Sequence, residues 1–116
     1  RLDQLTKDHS VVQNLVDQGV ISADQAEQHP RRNEITKALG IMSNAGPEVA
    51  ELPIAVKKGE SILLCSDGLT GMVREARIER VLKKPSSAQA KVDQLIELAN
   101  REGGHDNISV QLISFR

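Results

Sequence analysis

The sequence has 116 residues, enough for one small domain and too few for two ordinary ones. It contains one Phe and neither Trp nor Tyr, so the core must be aliphatic and aromatic side chains on which nucleic-acid bases could stack are essentially absent. The 15 basic and 16 acidic residues give a net charge of −1, which excludes a broad positive field for nucleic acid, and no apolar run approaches the roughly 20 residues that span a bilayer.

The single cysteine, Cys65, excludes an internal disulfide and fits a reducing compartment, so we expect a cytoplasmic protein. The start of the sequence lacks the pattern of a secretory signal. The first residue is Arg1 rather than Met, and we therefore expect the chain to be a piece of a longer polypeptide.

The first third of the sequence predicts two short helices. Ser10 followed by Gln13 fits a capping box, in which two side chains satisfy free backbone N–H groups at a helix start, and Ser22 with Gln25 repeats the pattern. Pro30 closes the second helix. Because the apolar face of this pair is thin, we expect an α-hairpin on the surface.

The middle of the sequence predicts strands. Residues Asn33–Met42 suit a helix or a strand, and Gly40 favours the strand because it interrupts a helix. The next two apolar runs, Leu52–Val56 and Ser61–Cys65, lie on either side of the turn-forming residues Lys57–Glu60. We therefore expect these two runs to pair as antiparallel neighbours.

The last third of the sequence predicts two helices and a final strand. Apolar residues between Val73 and Leu82 mark a helix that ends before Pro85. The strongest helical pattern in the chain starts after Ser86 or Ser87 and ends at Gly103-Gly104. Alternating apolar residues then predict a half-buried strand over Ile108–Phe115.

Two acidic residues lie at the ends of predicted buried strands. Asp67 follows the run that ends at Cys65, and Asp106 precedes the last strand. If both strands share one sheet with these ends together, the two carboxylates converge at one edge, where they could hold a hard cation such as Mg²⁺ or Mn²⁺. The alternative is that both are ordinary turn acids, since Asp-Gly is a common turn signal.

The other residues with reactive side chains give no further site. Cys65 is expected to be a small buried apolar residue, because no arginine-rich phosphate loop follows it as would suit a nucleophile. His9 and His105 have no partners at the spacing of a zinc site, and we expect both on the surface or in turns.

Four segments in order, LTKDHS, HPRRNEITKALG, GESILLCSDGLTGMV and GGHDNISVQLI, resemble the second half of a bacterial 2C-type (PPM family) metal-dependent serine/threonine phosphatase. The resemblance extends from about Leu5 to Ile113. It implies an α+β fold: half of a phosphatase-2C-like β-sandwich, with mostly antiparallel strands and four to five helices. Residues 1–116 would then be the C-terminal portion of a single catalytic domain whose N-terminal half is absent.

The resemblance also implies a chemistry. Members of the family hydrolyse phosphoserine and phosphothreonine with a metal-bridging water, at a site that holds two or more Mg²⁺ or Mn²⁺ ions. By the match, Asp67 and Asp106 would be metal ligands, while Gly68 and Asn107 would shape the turns that support them. No residue of this half is assigned a certain catalytic role.

A flap beside the metal site is implied for residues 16–33. His29, Arg31 and Arg32 lie in it, and each has two interpretations. His29 is either a substrate contact or a surface histidine at a helix end. Arg31 and Arg32 either contact a phosphorylated substrate or form a solvated pair.

The family's first half supplies the remaining acidic ligands and a phosphate-binding arginine, none of which is present here. We therefore expect this chain alone to bind metal weakly and to hydrolyse little, whereas the complete protein would act in bacterial signalling on phosphoproteins, including substrates of a cognate Ser/Thr kinase. Exposed strand edges would favour a homodimer by edge pairing or by domain swapping. The rival interpretations are a truncated, non-catalytic module that binds a partner and an excised piece without a function of its own.

Overall fold

The structure, a computed structural model, describes all 116 residues, which form five helices and one antiparallel sheet of two strands. The elements in chain order are α1 (Val11–Asp17), α2 (Ala23–Glu27), β1 (Ser61–Cys65), α3 (Asp67–Thr70), α4 (Glu75–Leu82), α5 (Ala88–Arg101) and β2 (Val110–Ser114). This confirms the predicted α+β class with four to five helices and antiparallel strands. No helix has the length and apolar character needed to cross a membrane.

The chain divides into two compact units, an N-terminal unit of residues 3–51 and a C-terminal unit of residues 1–2 and 52–116. In the N-terminal unit α2 has the predicted capping box: the Ser22 hydroxyl accepts from the backbone N–H of Gln25 at 3.2 Å, and the Gln25 side chain accepts from that of Ser22 at 2.8 Å. At α1 the prediction is half right. The Ser10 hydroxyl accepts from the Gln13 N–H, whereas the Gln13 side chain donates to Asp17.

The predicted strand over Asn33–Met42 is wrong. The segment forms two isolated bridges instead of a strand, one between Ile35 and Ser10 and one between Leu39 and Met42. Leu39 is 90% exposed, so the apolar residues of this segment have no core within their unit against which a strand could pack. The chain turns instead at Gly40, which has a φ of +84°.

The C-terminal unit contains the buried core, and this core is aliphatic as predicted. Its members come from α3, α4, α5 and the turn after α3: Leu69, Val73, Ile78, Val81, Leu95 and Ala99. Leu63 on β1 and Val110 on β2 pack against this cluster. One face of the sheet therefore packs against the helices.

Helix α5 has the predicted ends. The Ser87 hydroxyl caps it by accepting from the backbone N–H of Ala90 at 3.1 Å. After the helix the backbone N–H of Gly104 donates to the carbonyl of Ala99 at 3.0 Å, with a φ of +54° at Gly104. Residues other than glycine rarely adopt this left-handed conformation. At Gly104 it ends the helix and turns the chain toward Asp106.

The predicted hairpin between Leu52–Val56 and β1 is wrong. Residues 52–56 form no strand, and β1 pairs with β2 in the register from Ser61↔Ser114 to Cys65↔Val110. Pro53 lacks the N–H that a strand would donate, and Leu52 is 77% exposed. The true partner of β1 lies more than forty residues further along the chain, a pairing that local patterns do not report.

The register assigns the side chains of the sheet to its two faces. Leu63, Leu112 and Val110 share the face toward the helical core. On the opposite face lie Ile62, Leu64 and Ile113, and the last two are 49% and 40% exposed. The sheet therefore buries one face and leaves the other in contact with solvent.

Candidate metal site

Asp67 lies immediately beyond the end of β1. Ser66 is the N-cap of α3, and Asp67 is the first residue of that helix, which corrects the prediction of a simple turn at Ser66-Asp67-Gly68. The Asp67 side chain is exposed and makes no hydrogen bond or ion pair. Both of its carboxylate oxygens are therefore available to a ligand.

Asp106 lies in the turn between α5 and β2, and its side chain is also exposed. Its Oδ1 accepts a hydrogen bond of 2.7 Å from the backbone N–H of Asn107. This bond fixes the orientation of the carboxylate relative to its own turn. The second oxygen has no partner within the chain.

Ser66 joins the two acidic segments. Its backbone N–H donates to the carbonyl of Ser109 at 3.0 Å, and its hydroxyl accepts from the backbone N–H of Ser109 at the same distance. The same hydroxyl donates to the carbonyl of Asn107 at 3.1 Å. Three hydrogen bonds therefore hold the start of α3 against the turn that precedes β2.

Gly68 makes the closest backbone contact of this junction. A Cβ built on Gly68 would lie 2.1 Å from the carbonyl oxygen of Asn107 and 2.8 Å from its carbonyl carbon. Real Cβ contacts essentially never fall below 3.0 Å, so any side chain here would require the backbone to move. Asp67 precedes Gly68 and Asp106 precedes Asn107, so the structure brings the two acidic residues to the two sides of one contact.

The donors at this junction suit a hard cation in kind and are too few in number. Carboxylate oxygens are the ligands that Mg²⁺ and Mn²⁺ prefer, and neither Asp67 nor Asp106 is neutralised by a Lys or Arg in an ion pair. The chain forms no group of three His, Cys, Asp or Glu side chains that could hold a metal ion. The two aspartates therefore make a partial site that needs further ligands.

The three predicted flap contacts lie in the N-terminal unit, where partners within the chain occupy them. The Arg31 guanidinium donates twice to Glu34, at 3.0 and 2.8 Å, and this interaction lowers the pKa of Glu34. The Nδ1 of His29 accepts from the Arg31 backbone N–H at 3.1 Å. Arg32 donates to the carbonyl of His29 at 3.3 Å.

Cys65 is exposed, which contradicts the prediction of a buried residue. It lies at the last position of β1, opposite Val110 on the core-facing side of the sheet, where the strand ends just before α3. Desolvation still raises the pKa of its thiol above the ordinary value. A protonated thiol is a poor nucleophile, so we continue to expect no catalytic role for Cys65.

The remaining histidines have structural partners. The Nε2 of His9 lies 2.5 Å from Glu48, and the hydrogen bond lowers the pKa of that carboxyl. The His105 ring lies beside Gly103, where a Cβ would come within 2.6 Å of its Nε2.

Ser66 and Ser109 were not predicted as site residues. Ser66 directly precedes Asp67 and Ser109 lies three residues after Asp106, and this proximity was the only sequence signal that could have identified them.

Comparison with known proteins gives consistent relatives. No protein-family model matches the sequence. The serine/threonine phosphatase stp of Listeria innocua is 44% identical over 110 residues, which cover 95% of this chain and 43% of the relative. The chain thus spans less than half the length of the curated relatives that it matches.

Solved structures match over the same extent. The PPM Ser-Thr phosphatase MsPP from Mycobacterium smegmatis, in complex with cacodylate, is 40% identical in sequence with a TM-score of 0.87. The match covers 100% of this chain and 49% of the MsPP chain. The catalytic domain of the serine threonine protein phosphatase PstP, in complex with two manganese ions, is 38% identical in sequence with a TM-score of 0.71. The match covers 97% of this chain and 44% of the PstP chain.

Proposed function

The chain is homologous to the C-terminal half of the PPM serine/threonine phosphatases, and we propose that it forms the part of a metal-dependent phosphatase domain that carries two metal ligands, Asp67 and Asp106. The observation that supports this proposal is the junction at which Ser66 and Gly68 contact Asn107. It holds two uncompensated acidic residues, nearly forty positions apart in sequence, at one edge of the sheet. The PstP structure with two manganese ions supports the same choice of metal.

The residues of this chain would have distinct tasks. Asp67 and Asp106 would bind divalent cations through their carboxylate oxygens, and Ser66 and Gly68 would keep the two acids in register. Mg²⁺ or Mn²⁺ bound there would lower the pKa of a water and neutralise the phosphoryl oxygens of phosphoserine or phosphothreonine. Asn107 would shape its turn through the backbone rather than bind the metal.

The substrates in this proposal are phosphoproteins, including those of a cognate Ser/Thr kinase. Residues 16–33 would be the flap that controls access to them, with His29 and Arg32 as its contacts. Arg31 would have to exchange Glu34 for a substrate phosphate, since the carboxylate now occupies its guanidinium.

We expect the natural full-length polypeptide that contains this chain to hydrolyse p-nitrophenyl phosphate with Mn²⁺, to lose this activity on chelation and to regain it when Mn²⁺ is returned. The chain alone should be slower by at least about 100-fold, because two carboxylates with water in every other position bind a divalent cation poorly. The measurement is the rate of nitrophenolate release at several Mn²⁺ concentrations. Hydrolysis that persists unchanged in the chelator would contradict the proposal.

A second candidate function, self-association of the chain without catalysis, has its own structural support. In a two-stranded sheet each strand has one unpaired edge, and Leu64 and Ile113 expose apolar surface on the open face. A second copy of the chain could pair with such an edge and cover that face.

For the isolated chain we expect a dimer in sedimentation velocity at about 100 μM, an estimate from the weak end of interface affinities. Ile113→Lys should shift it to the monomer, since a charge would be buried in the paired face. Val49→Lys is the matched control: Val49 is 78% exposed and lies in the other unit, off the sheet. A monomer at all concentrations, or an equal effect of both substitutions, would eliminate this candidate.

A further inference from the structure

A recess of about 170 Å³ lies between helices α4 and α5, and the proposed function does not use it. Val81 and Leu98 form its apolar floor, and Gln94 lies on one wall. Three cationic side chains surround it: Arg77, Arg80 and Lys84. Arg77 and Arg80 are neighbours on α4, three residues apart, and Lys84 lies just beyond the helix, after its C-cap Lys83.

The charge around this recess differs from that of the rest of the chain. Residues 74–91 contain six of the 15 basic residues and two of the 16 acidic ones. Neither acid lines the recess. Glu79 is paired with Lys83 and the N-terminal amine, and Glu75 lies in the first turn of α4. A chain with a net charge of −1 thus concentrates positive charge at one place.

The three cations are only partly satisfied within the chain. Arg77 forms an ion pair with Glu102, just beyond the C-terminal end of α5. Lys84 donates a 3.0 Å hydrogen bond to the neutral side chain of Gln94. Arg80 is exposed and makes no hydrogen bond or ion pair. The recess therefore has one free guanidinium, one ammonium without a counter-ion and one guanidinium with a replaceable partner.

We propose that this recess binds the phosphate-bearing side chain of a phosphoserine or phosphothreonine peptide, at a site separate from Asp67 and Asp106. A guanidinium binds phosphate through two parallel N–H···O bonds, and a nearby ammonium adds a point charge. The apolar floor would contact the methylene or methyl group that carries the phosphate. A dianion could also displace the Glu102 carboxylate from Arg77.

A phosphopeptide fits better than other polyanions. The cations surround one small recess instead of forming a stripe, so they would recognise a single phosphate and not a nucleic-acid backbone. The chain has no Trp or Tyr on which bases could stack. The recess is also concave, and its two apolar residues are buried or half-buried on the floor instead of protruding toward a bilayer.

The test uses the natural full-length polypeptide with Asp67→Asn, in a chelating buffer, so that hydrolysis and metal-bridged binding are both prevented. Binding of a phosphothreonine peptide is followed by calorimetry and by NMR of the backbone amides. We expect shifts in residues 77–84 and 94–98, and none at Gly68 or Asn107. Because catalysis plays no part, this result does not depend on whether the proposed phosphatase activity is correct.

Three variants test the assignment of the cations. Arg80→Gln combined with Lys84→Gln should weaken peptide binding by about tenfold or more, whereas Glu102→Gln should strengthen it about threefold by releasing Arg77. Arg74→Gln is the matched control, since it removes one positive charge from the start of the same helix without lining the recess, and it should change affinity by less than about twofold.

Several outcomes would overturn the proposal. They are an unphosphorylated peptide that binds equally well, a loss in Arg74→Gln as large as in the double variant, and the absence of any binding. Inorganic phosphate with an affinity equal to that of the peptide would refute recognition of a peptide. An RNA oligonucleotide or anionic phosphatidylserine vesicles that bind more tightly than the peptide and depend on Arg80 would assign the recess to another class of partner.

Discussion

Gly68→Ala should destabilise the protein by about 2–4 kcal/mol and remove most of its metal binding, although Ala is the better helix former. In an unobstructed helix this substitution would stabilise by up to about 1 kcal/mol. Here the new methyl group would lie 2.1 Å from the Asn107 carbonyl oxygen and 3.3 Å from the Cα of Ile108. These are backbone atoms, so relief requires the turn before β2 to move away from α3, and overpacking of this kind costs several kcal/mol.

The measurement is urea unfolding of the natural full-length polypeptide, followed by circular dichroism. Gly46→Ala is the control: the nearest atom to its new Cβ would be 3.9 Å away, so stability should be unchanged or slightly raised. A Gly68→Ala protein as stable as the parent would show that the junction is looser than the structure describes.

Patterns within about ten residues predicted four of the five helices, and α3 was missed. Ser87 before an amphipathic run and Gly104 after it are local signals, because a cap satisfies N–H groups one turn away and a left-handed glycine ends the same helix. The structure confirms both. Likewise, Ser22 and Gln25 interact with each other alone, so their three-residue spacing was sufficient.

Pairing over long distances in the sequence was harder to predict. The partner of β1 is β2, and only the resemblance to a known family, not the apolar alternation, connected the segments around Asp67 and Asp106. The predicted hairpin at Lys57–Glu60 is wrong because β1 pairs with the distant strand β2. Loop closure over a longer distance costs little additional free energy, so proximity alone is a weak guide.

The predicted site contained the two acids and the turn residues Gly68 and Asn107, but not the two serines that join the segments. Ser66 and Ser109 form hydrogen bonds that involve backbone atoms of the opposite segment, and no local sequence pattern predicts such bonds. In the sequence Gly68 indicates a turn. In the structure it lies in helix α3, in a place with no space for a side chain.

Asp67→Asn and Asp106→Asn should each lower Mn²⁺-dependent hydrolysis by about 10²–10³-fold in the natural full-length polypeptide, while stability changes by less than about 0.5 kcal/mol. Both side chains are exposed and neither forms an ion pair, so the amide removes a charged metal ligand without removing a contact of the fold. Asp93→Asn is the matched control, an exposed acid on α5 that accepts a hydrogen bond from Gln89 alone.

The double variant distinguishes one shared site from two independent acids. If Asp67 and Asp106 bind the same cation cluster across the Ser66–Asn107 junction, removal of the second acid should cost little once the first has disrupted the cluster, so the effects on activity would not add. Two turn acids with unrelated roles would give effects that multiply, or none. Mn²⁺ affinity measured by calorimetry on the same three proteins separates a loss of binding from a loss of turnover. Unchanged affinity in both single variants would show that the two carboxylates meet at this edge of the sheet without forming a metal site.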